Sequence, residues 1–88
     1  MIKVIVDDKI PYIREALAAM DVEAHYVPGS AFTPAIVNDA DALIIRTRTQ
    51  CDESLLASSR VQFIATATIG YDHIDTAYCA AHGIRWTN

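Results

Sequence analysis

Glycine is scarce in this 88-residue chain: Gly29, Gly70 and Gly83 are the only three. No G-x-G-x-x-G or Walker-type loop can be built from them, so the sequence holds no recognisable cradle for a nucleotide phosphate. Basic residues are few as well. Seven Lys and Arg stand against eleven Asp and Glu, a formal net charge of −4. That balance offers no basic field to draw phosphate backbones, which argues against nucleic acid as a partner. Long apolar runs are missing too, where a membrane-crossing helix needs about 20 residues. The start, MIKVIVDD, reaches acidic residues too early to hold the apolar core of a secretory signal. The two cysteines, Cys51 and Cys79, do not form a C-x-x-C pair. With no export signal they are expected as reduced thiols in a cytoplasmic protein.

What is present is apolar. Hydrophobic residues make up 52% and charged residues 20%, the opposite of the low-hydrophobicity, high-charge composition of a disordered chain. The expectation is one small, packed α/β unit. A chain near this length buries only about 60–65% of its unfolded surface, so so apolar a composition suits part of a larger protein.

Two kinds of segment alternate. Ile2-Lys3-Val4-Ile5-Val6, Ala42-Leu43-Ile44-Ile45 and Phe63-Ile64-Ala65 are short runs of the kind buried on both faces of a parallel sheet. Ala24-His25-Tyr26-Val27 is a weaker strand closed by the turn dipeptide Pro28-Gly29, and Ile84-Arg85-Trp86-Thr87 a fifth. Between them, Pro11 suits a first helical position ahead of Ile13, Ala16, Leu17 and Met20, which share one helix face. Thr33-Pro34 reads as an N-cap and first helical residue, and Asp52 as a cap before Leu55 and Leu56. Asp72 or Asp75 can cap a helix with Ile74, Ala77, Tyr78 and Ala81 on one face, and Gly83 can stop it. The β-α-β-α-β-α-β-α-β pattern predicts a flavodoxin-like open parallel sheet with helices on both faces and the first strand near the middle. Every helix placed connects two strands, and the further helix that would return to cover the last strand is not expected within these residues.

Ligands of such sheets sit beyond the carboxyl ends of the strands. Those ends carry Asp7-Asp8, Arg46-Thr47-Arg48-Thr49 and Thr66-Ala67-Thr68-Ile69-Gly70. Hydroxyls beside guanidinium groups suit a small oxyanion, and Gly70 would allow close backbone approach. Arg46 and Arg48 point to opposite sides if the strand continues, so one is expected to face a ligand and the other to pair with Asp7, Asp8 or Asp52. Asp7-Asp8 is expected to orient the loop toward Pro11. Thr66 and Thr68 can equally be plain strand residues. The Asp72-His73-Asp75 cluster lacks a second His or Cys at ligand spacing and is read as helix capping rather than metal binding. His25, His82, Trp86 and the tyrosines are read as surface or packing residues.

The runs Val6-Asp7-Asp8-Lys9-Ile10-Pro11-Tyr12 and Asp39-Ala40-Asp41-Ala42-Leu43-Ile44-Ile45-Arg46-Thr47 resemble the N-terminal region of erythronate-4-phosphate dehydrogenases. The likeness continues through Glu53-Ser54-Leu55-Leu56 and Phe63-Ile64-Ala65-Thr66-Ala67-Thr68-Ile69-Gly70-Tyr71-Asp72-His73-Ile74-Asp75. Those enzymes are a branch of the NAD-dependent D-2-hydroxyacid dehydrogenases and act in pyridoxal phosphate biosynthesis. The G-x-D-x-I-D segment is common to the superfamily, whereas D-x-x-I-P-Y and T-A-T-x-G-x-D-H narrow it to the branch.

The resemblance implies that residues 1–88 are the N-terminal part of the substrate-binding domain, with the NAD-binding Rossmann domain absent. It implies a small anionic substrate, 4-phosphoerythronate, contacted by Thr47 and Thr68, with Arg46 a further candidate for its phosphate. Thr47 stands where relatives carry serine, which keeps the hydroxyl. The family's catalytic Arg, Glu and His lie downstream, with the histidine as general base, a carboxylate orienting it and the arginine holding the substrate carboxylate. No catalytic, cofactor-binding or metal-binding residue is therefore expected in this chain. NAD would serve the full-length enzyme, expected as a homodimer, while the chain alone would bind none and be inactive. Two readings of other classes share the fold. One is a phosphorylatable receiver-type signalling domain, which needs an Asp where Arg46-Thr47 stands and a Lys after the fifth strand, although the only lysines are Lys3 and Lys9. The other is a non-catalytic interaction module, because fold does not fix function.

Overall fold

The computed structural model describes residues 2–68 and 70–88. In chain order the elements are β1 (Ile2–Asp7), α1 (Ile13–Ala18), β2 (Val22–Val27), α2 (Pro34–Val37), β3 (Ala42–Ile45), α3 (Glu53–Leu56), β4 (Phe63–Thr66), α4 (Thr76–Ala81) and β5 (Arg85–Thr87). One short 3₁₀ turn, Gly29–Ala31, follows β2. The strands form a single sheet in the order β2-β1-β3-β4-β5, parallel at every pairing. This is the doubly wound, flavodoxin-like order that the alternating pattern predicts. β1 is interior, as expected, but the central position belongs to β3.

Alternation along each strand divides the core in two. On one face Ile5, Leu43, Ile45 and Ile64 are buried with Val37 of α2, Leu55 and Leu56 of α3, and Cys79 of α4. Burying each such aliphatic side chain is worth about 1.5–3 kcal/mol, and this face carries most of them. On the other face Val4 and Val6 pack against Leu17 of α1, with Ile13, Val22, Ala24 and Tyr26 around them. The six-residue α1 covers β1 and β2 only. Beyond it Ala42 and Ile44 are half-buried and Phe63 is 39% exposed. Among the described residues no helix lies over that part of the sheet.

The caps explain where the helices begin. Thr33 accepts from Ile36 N–H at 3.3 Å, Asp52 from Leu55 N–H at 3.3 Å, and Asp75, rather than Asp72, from Tyr78 N–H at 3.0 Å. Each satisfies an amide that the first helical turn leaves free. At the far end of α4, Gly83 has φ +70° and Ile84 N–H bonds the Cys79 carbonyl at 2.9 Å, the six-to-one bond of a Schellman stop.

Two helix faces differ from expectation. Tyr12 takes the left-handed φ of 63° as N-cap of α1, so Pro11 lies outside the helix and the helix starts one turn-corner later. Leu17 is then the buried residue, while Ala16 and Met20 are exposed. In α4, Ile74 belongs to an isolated parallel bridge with Cys51, ahead of the helix. The inward face therefore falls on Cys79, and Ala77 and Ala81 face outward. No described helix is long and apolar enough to cross a membrane. Both cysteines are free and buried.

Candidate ligand site

The strand ends are held in place before any ligand is considered. Asp7, the last residue of β1, is 1% exposed, and its Oδ1 accepts from Lys9 N–H at 2.9 Å. That bond bends the chain into the loop toward Pro11, the orienting role expected of this acid. Gly29, just past β2, packs directly on Asp7 and Arg48. Thr49, buried in the loop after β3, donates its hydroxyl to the Gly29 carbonyl at 3.1 Å. Three loops are thereby fastened at one edge of the sheet.

The loops after β3 and β4 are fastened to each other as well. Ala67 N–H bonds the Ile45 carbonyl at 2.9 Å, which carries the β3–β4 ladder past Thr66. Further out, Cys51 N–H bonds the His73 carbonyl at 2.7 Å, and Asp75 N–H bonds the Cys51 carbonyl at 2.8 Å. Thr47 and Thr68 each stand two residues beyond the paired Ile45 and Thr66. The two threonines singled out in the sequence thus occupy equivalent positions on adjacent loops at the carboxyl edge.

Their surroundings are cationic on one side. Arg46 is half-buried and Arg48 exposed, and among the described residues neither makes an ion pair. The pairing expected between one arginine and Asp7, Asp8 or Asp52 does not form. Asp7 is committed to Lys9 N–H and Asp52 to its helix cap, while Asp8 leaves one buried carboxylate oxygen without a partner. The pairs that do form lie elsewhere: Lys3–Asp39 at 2.8 Å, Arg60–Asp41 at 3.3 Å and His25–Glu23 at 2.6 Å. Two uncommitted guanidinium groups beside threonine hydroxyls can take a carboxylate or phosphate.

A group of side chains the sequence reading separated is joined here. Thr66, 5% exposed at the end of β4, has its hydroxyl 2.9 Å from that of Thr68 and 2.8 Å from His73 Nε2. Thr68 in turn donates to the Gly70 carbonyl at 3.1 Å. Burial holds the His73 pKa below its usual 6.5, with the Asp72 carboxylate opposing weakly. The signal for this group was the i, i+2 spacing of Thr66 and Thr68, which puts both hydroxyls on one side of an extended chain. His73 had no such signal. Among the described residues no group of three or more His, Cys, Asp or Glu could hold a metal ion.

Thr47, Arg48 and Gly70 are exposed, and Arg46 and Thr68 half-buried. Neither Thr47 nor Thr68 lines the 300 Å³ cleft between Lys3, Val27 and Asp39 or the 340 Å³ cleft between Phe32, Gln50 and Leu55. A Cβ placed on Gly70 meets nothing within 4 Å, so packing inside this chain does not require glycine there; Gly29 is the position of close approach. Trp86 packs on Tyr71 with ring centres 4.9 Å apart, His82 stacks on Tyr78, and Arg14 sits 4.0 Å over Tyr26. These are the packing roles expected of the aromatic residues.

A parallel sheet of this order, with hydroxyl and guanidinium groups on the loops at its carboxyl edge, is a flavodoxin-like α/β fold. Comparison with known proteins makes the class specific. The family model described as D-isomer specific 2-hydroxyacid dehydrogenase, catalytic domain, matches residues 3–88, and the chain belongs to that family. It is 72% identical over 86 residues to an erythronate-4-phosphate dehydrogenase of Bacteroides fragilis, covering 98% of this chain and 25% of the relative. The same coverage gives 63% identity to the enzyme of that name from Bacteroides thetaiotaomicron. The chain thus spans about a quarter of the length of these curated relatives. Among solved structures, NAD⁺-bound 3-phosphoglycerate dehydrogenase of Entamoeba histolytica superposes with a TM-score of 0.84 at 26% identity, over 99% of this chain and 32% of that one. D-lactate dehydrogenase of Aquifex aeolicus, complexed with NAD and lactic acid, gives 0.74 at 26% identity, over 97% of this chain and 27% of that one.

Proposed function

We propose that this chain is the N-terminal substrate-binding segment of an NAD-dependent 4-phosphoerythronate dehydrogenase. The proposed enzyme oxidises the C2 hydroxyl of 4-phospho-D-erythronate to the 2-oxo acid, in the cytoplasm, on the route to pyridoxal 5′-phosphate. The observation that carries the reading is the 72% identity over nearly the whole chain to a dehydrogenase named for that substrate. The site chemistry supports it, since a substrate with a carboxylate and a phosphate needs the hydroxyl and guanidinium donors that β3 and β4 present.

Within that reading Thr47 and Thr68 donate their hydroxyls to substrate oxygens, and Arg46 supplies charge for the phosphate. Nothing in this chain fits a nicotinamide dinucleotide: its three glycines are too widely spaced for a phosphate loop. NAD and the groups that move the C2 proton and hydride are therefore assigned to the remainder of the enzyme, a homodimer. The half-bare sheet face around Ala42, Ile44 and Phe63 is assigned to contact with that remainder. The receiver-type alternative gains no support, because β3 runs into Arg46-Thr47 where the phosphorylated acid would have to stand.

The test is NADH formation by the full-length enzyme with 4-phospho-D-erythronate, D-lactate and 3-phosphoglycerate in parallel. The phosphorylated C4 acid is expected to be oxidised with the highest kcat/KM. Preference for either of the other acids would overturn the proposal, as would no oxidation at all.

A further inference from the structure

The hydrogen bonds joining His73, Thr66, Thr68 and Gly70 have only one self-consistent direction. A backbone carbonyl can only accept, so the contact of 3.1 Å between Thr68 Oγ1 and the Gly70 oxygen uses the single hydroxyl hydrogen of Thr68. The 2.9 Å contact between the two threonines must then be donated by Thr66. With the Thr66 hydrogen spent, the 2.8 Å contact to His73 must be donated by Nε2–H. The chain runs from imidazole N–H through two hydroxyls to a carbonyl, and it specifies the Nε2–H tautomer of His73.

That direction matters for a ligand. The outermost bond is the longest of the three, and its acceptor Gly70 is exposed while Thr68 is half-buried. A ligand oxyanion can therefore take the Thr68 hydrogen from the Gly70 carbonyl without disturbing the inner two bonds. The inward alternative, in which Thr68 donates to Thr66, is closed while the Thr66 oxygen receives the His73 N–H and its own hydrogen faces Thr68. Each donation also polarises the next hydroxyl and strengthens it as a donor.

We propose that His73 is a positioning residue for the oxyanion site, its Nε2–H holding Thr66 so that the Thr68 hydroxyl is aimed outward at the ligand. This rests on the reading of Thr68 as a substrate donor. In this role His73 acts through Thr66 and Thr68. Its own place is fixed from the backbone, where its carbonyl accepts from Cys51 N–H.

The test uses the full-length enzyme and its variants. His73→Leu removes the N–H, and the loss of one neutral hydrogen bond predicts a KM for 4-phospho-D-erythronate raised about 3–10-fold, with the KM for NAD unchanged. His73→Gln, whose amide can place an N–H where Nε2 stands, is expected to restore the substrate KM to within about twofold of wild type. On a Thr68→Val background His73→Leu should add nothing, because the hydroxyl it aims is gone. In ¹⁵N-histidine spectra His73 should show protonated Nε2 and unprotonated Nδ1. An Nδ1–H tautomer would overturn the proposal, and so would a His73→Gln variant as impaired as His73→Leu. If Thr68→Val raises the substrate KM and His73→Leu does not, the relay fails while the site stands. If Thr68→Val leaves that KM unchanged, the site reading itself fails.

Discussion

Gly29 offers the sharpest test of how the strand ends are locked. A Cβ built there would lie 2.8 Å from Asp7 Oδ2 and 3.1 Å from Arg48 Cβ. Its backbone φ is not positive, so alanine is conformationally acceptable and gains about 0.4–1 kcal/mol from a less flexible unfolded chain. The clash works against that gain. The Arg48 contact is to Cβ, which moves only with its backbone, and Asp7 is buried with its other oxygen bound to Lys9 N–H at 2.9 Å. Overpacking of this kind costs about 1–3 kcal/mol, so Gly29→Ala is expected to destabilise the chain by about 1–2 kcal/mol net. Gly70→Ala, where a Cβ meets nothing, should stay within about 0.5 kcal/mol of wild type. Urea unfolding followed by circular dichroism measures both, and amide spectra of the Gly29 variant should shift at Asp8, Lys9 and Arg46–Thr49. A Gly29→Ala chain as stable as wild type would refute the lock.

Two further outcomes follow from buried titrating groups. Burial, with Cys79 and Asp52 nearby, pushes the Cys51 thiol up to about 12, and burial also raises Cys79. The Cys51 thiolate fraction at neutral pH is then on the order of 10⁻⁵. Ellman's reagent should find both thiols unreactive in the folded chain and both reactive in denaturant; rapid native reaction would contradict the core packing. His73 has its pKa lowered by burial, so between that value and 6.5 the unfolded chain binds more protons than the folded one. Its contribution to stability is therefore full above about pH 6.5 and is lost as the pH falls below it. His73→Gln should flatten that part of the stability profile, and an unchanged slope would count against a half-buried neutral imidazole.

Much of the fold could be read from local signals. β1, β3 and β4 are short, mostly apolar runs of the kind a parallel sheet uses, and the caps at Thr33 and Asp52 sit where an oxygen can reach a free helical amide. Helix faces were harder. Alanine-rich stretches such as 76–81 fit several inward faces equally well, and the choice of Cys79 depends on the Cys51–Ile74 bridge, 23 residues across in sequence. The rule that ligands sit beyond strand ends selects the Thr47 and Thr68 loops without coordinates. The link from Thr66 to His73 needs the chain to turn back on itself, which no periodicity encodes. The expected Arg–Asp pairing failed because backbone amides had already claimed Asp7 and Asp52.

The central claim is that the carboxyl edge of β3 and β4 binds the anionic substrate through threonine hydroxyls. Its most direct test is Thr68→Val in the full-length enzyme, with KM measured separately for 4-phospho-D-erythronate and for NAD. Loss of a hydrogen bond to a charged group, worth about 1.5–3 kcal/mol, predicts a substrate KM raised about 10–150-fold and a KM for NAD left as in wild type. Unchanged kcat and KM for the substrate would contradict the account.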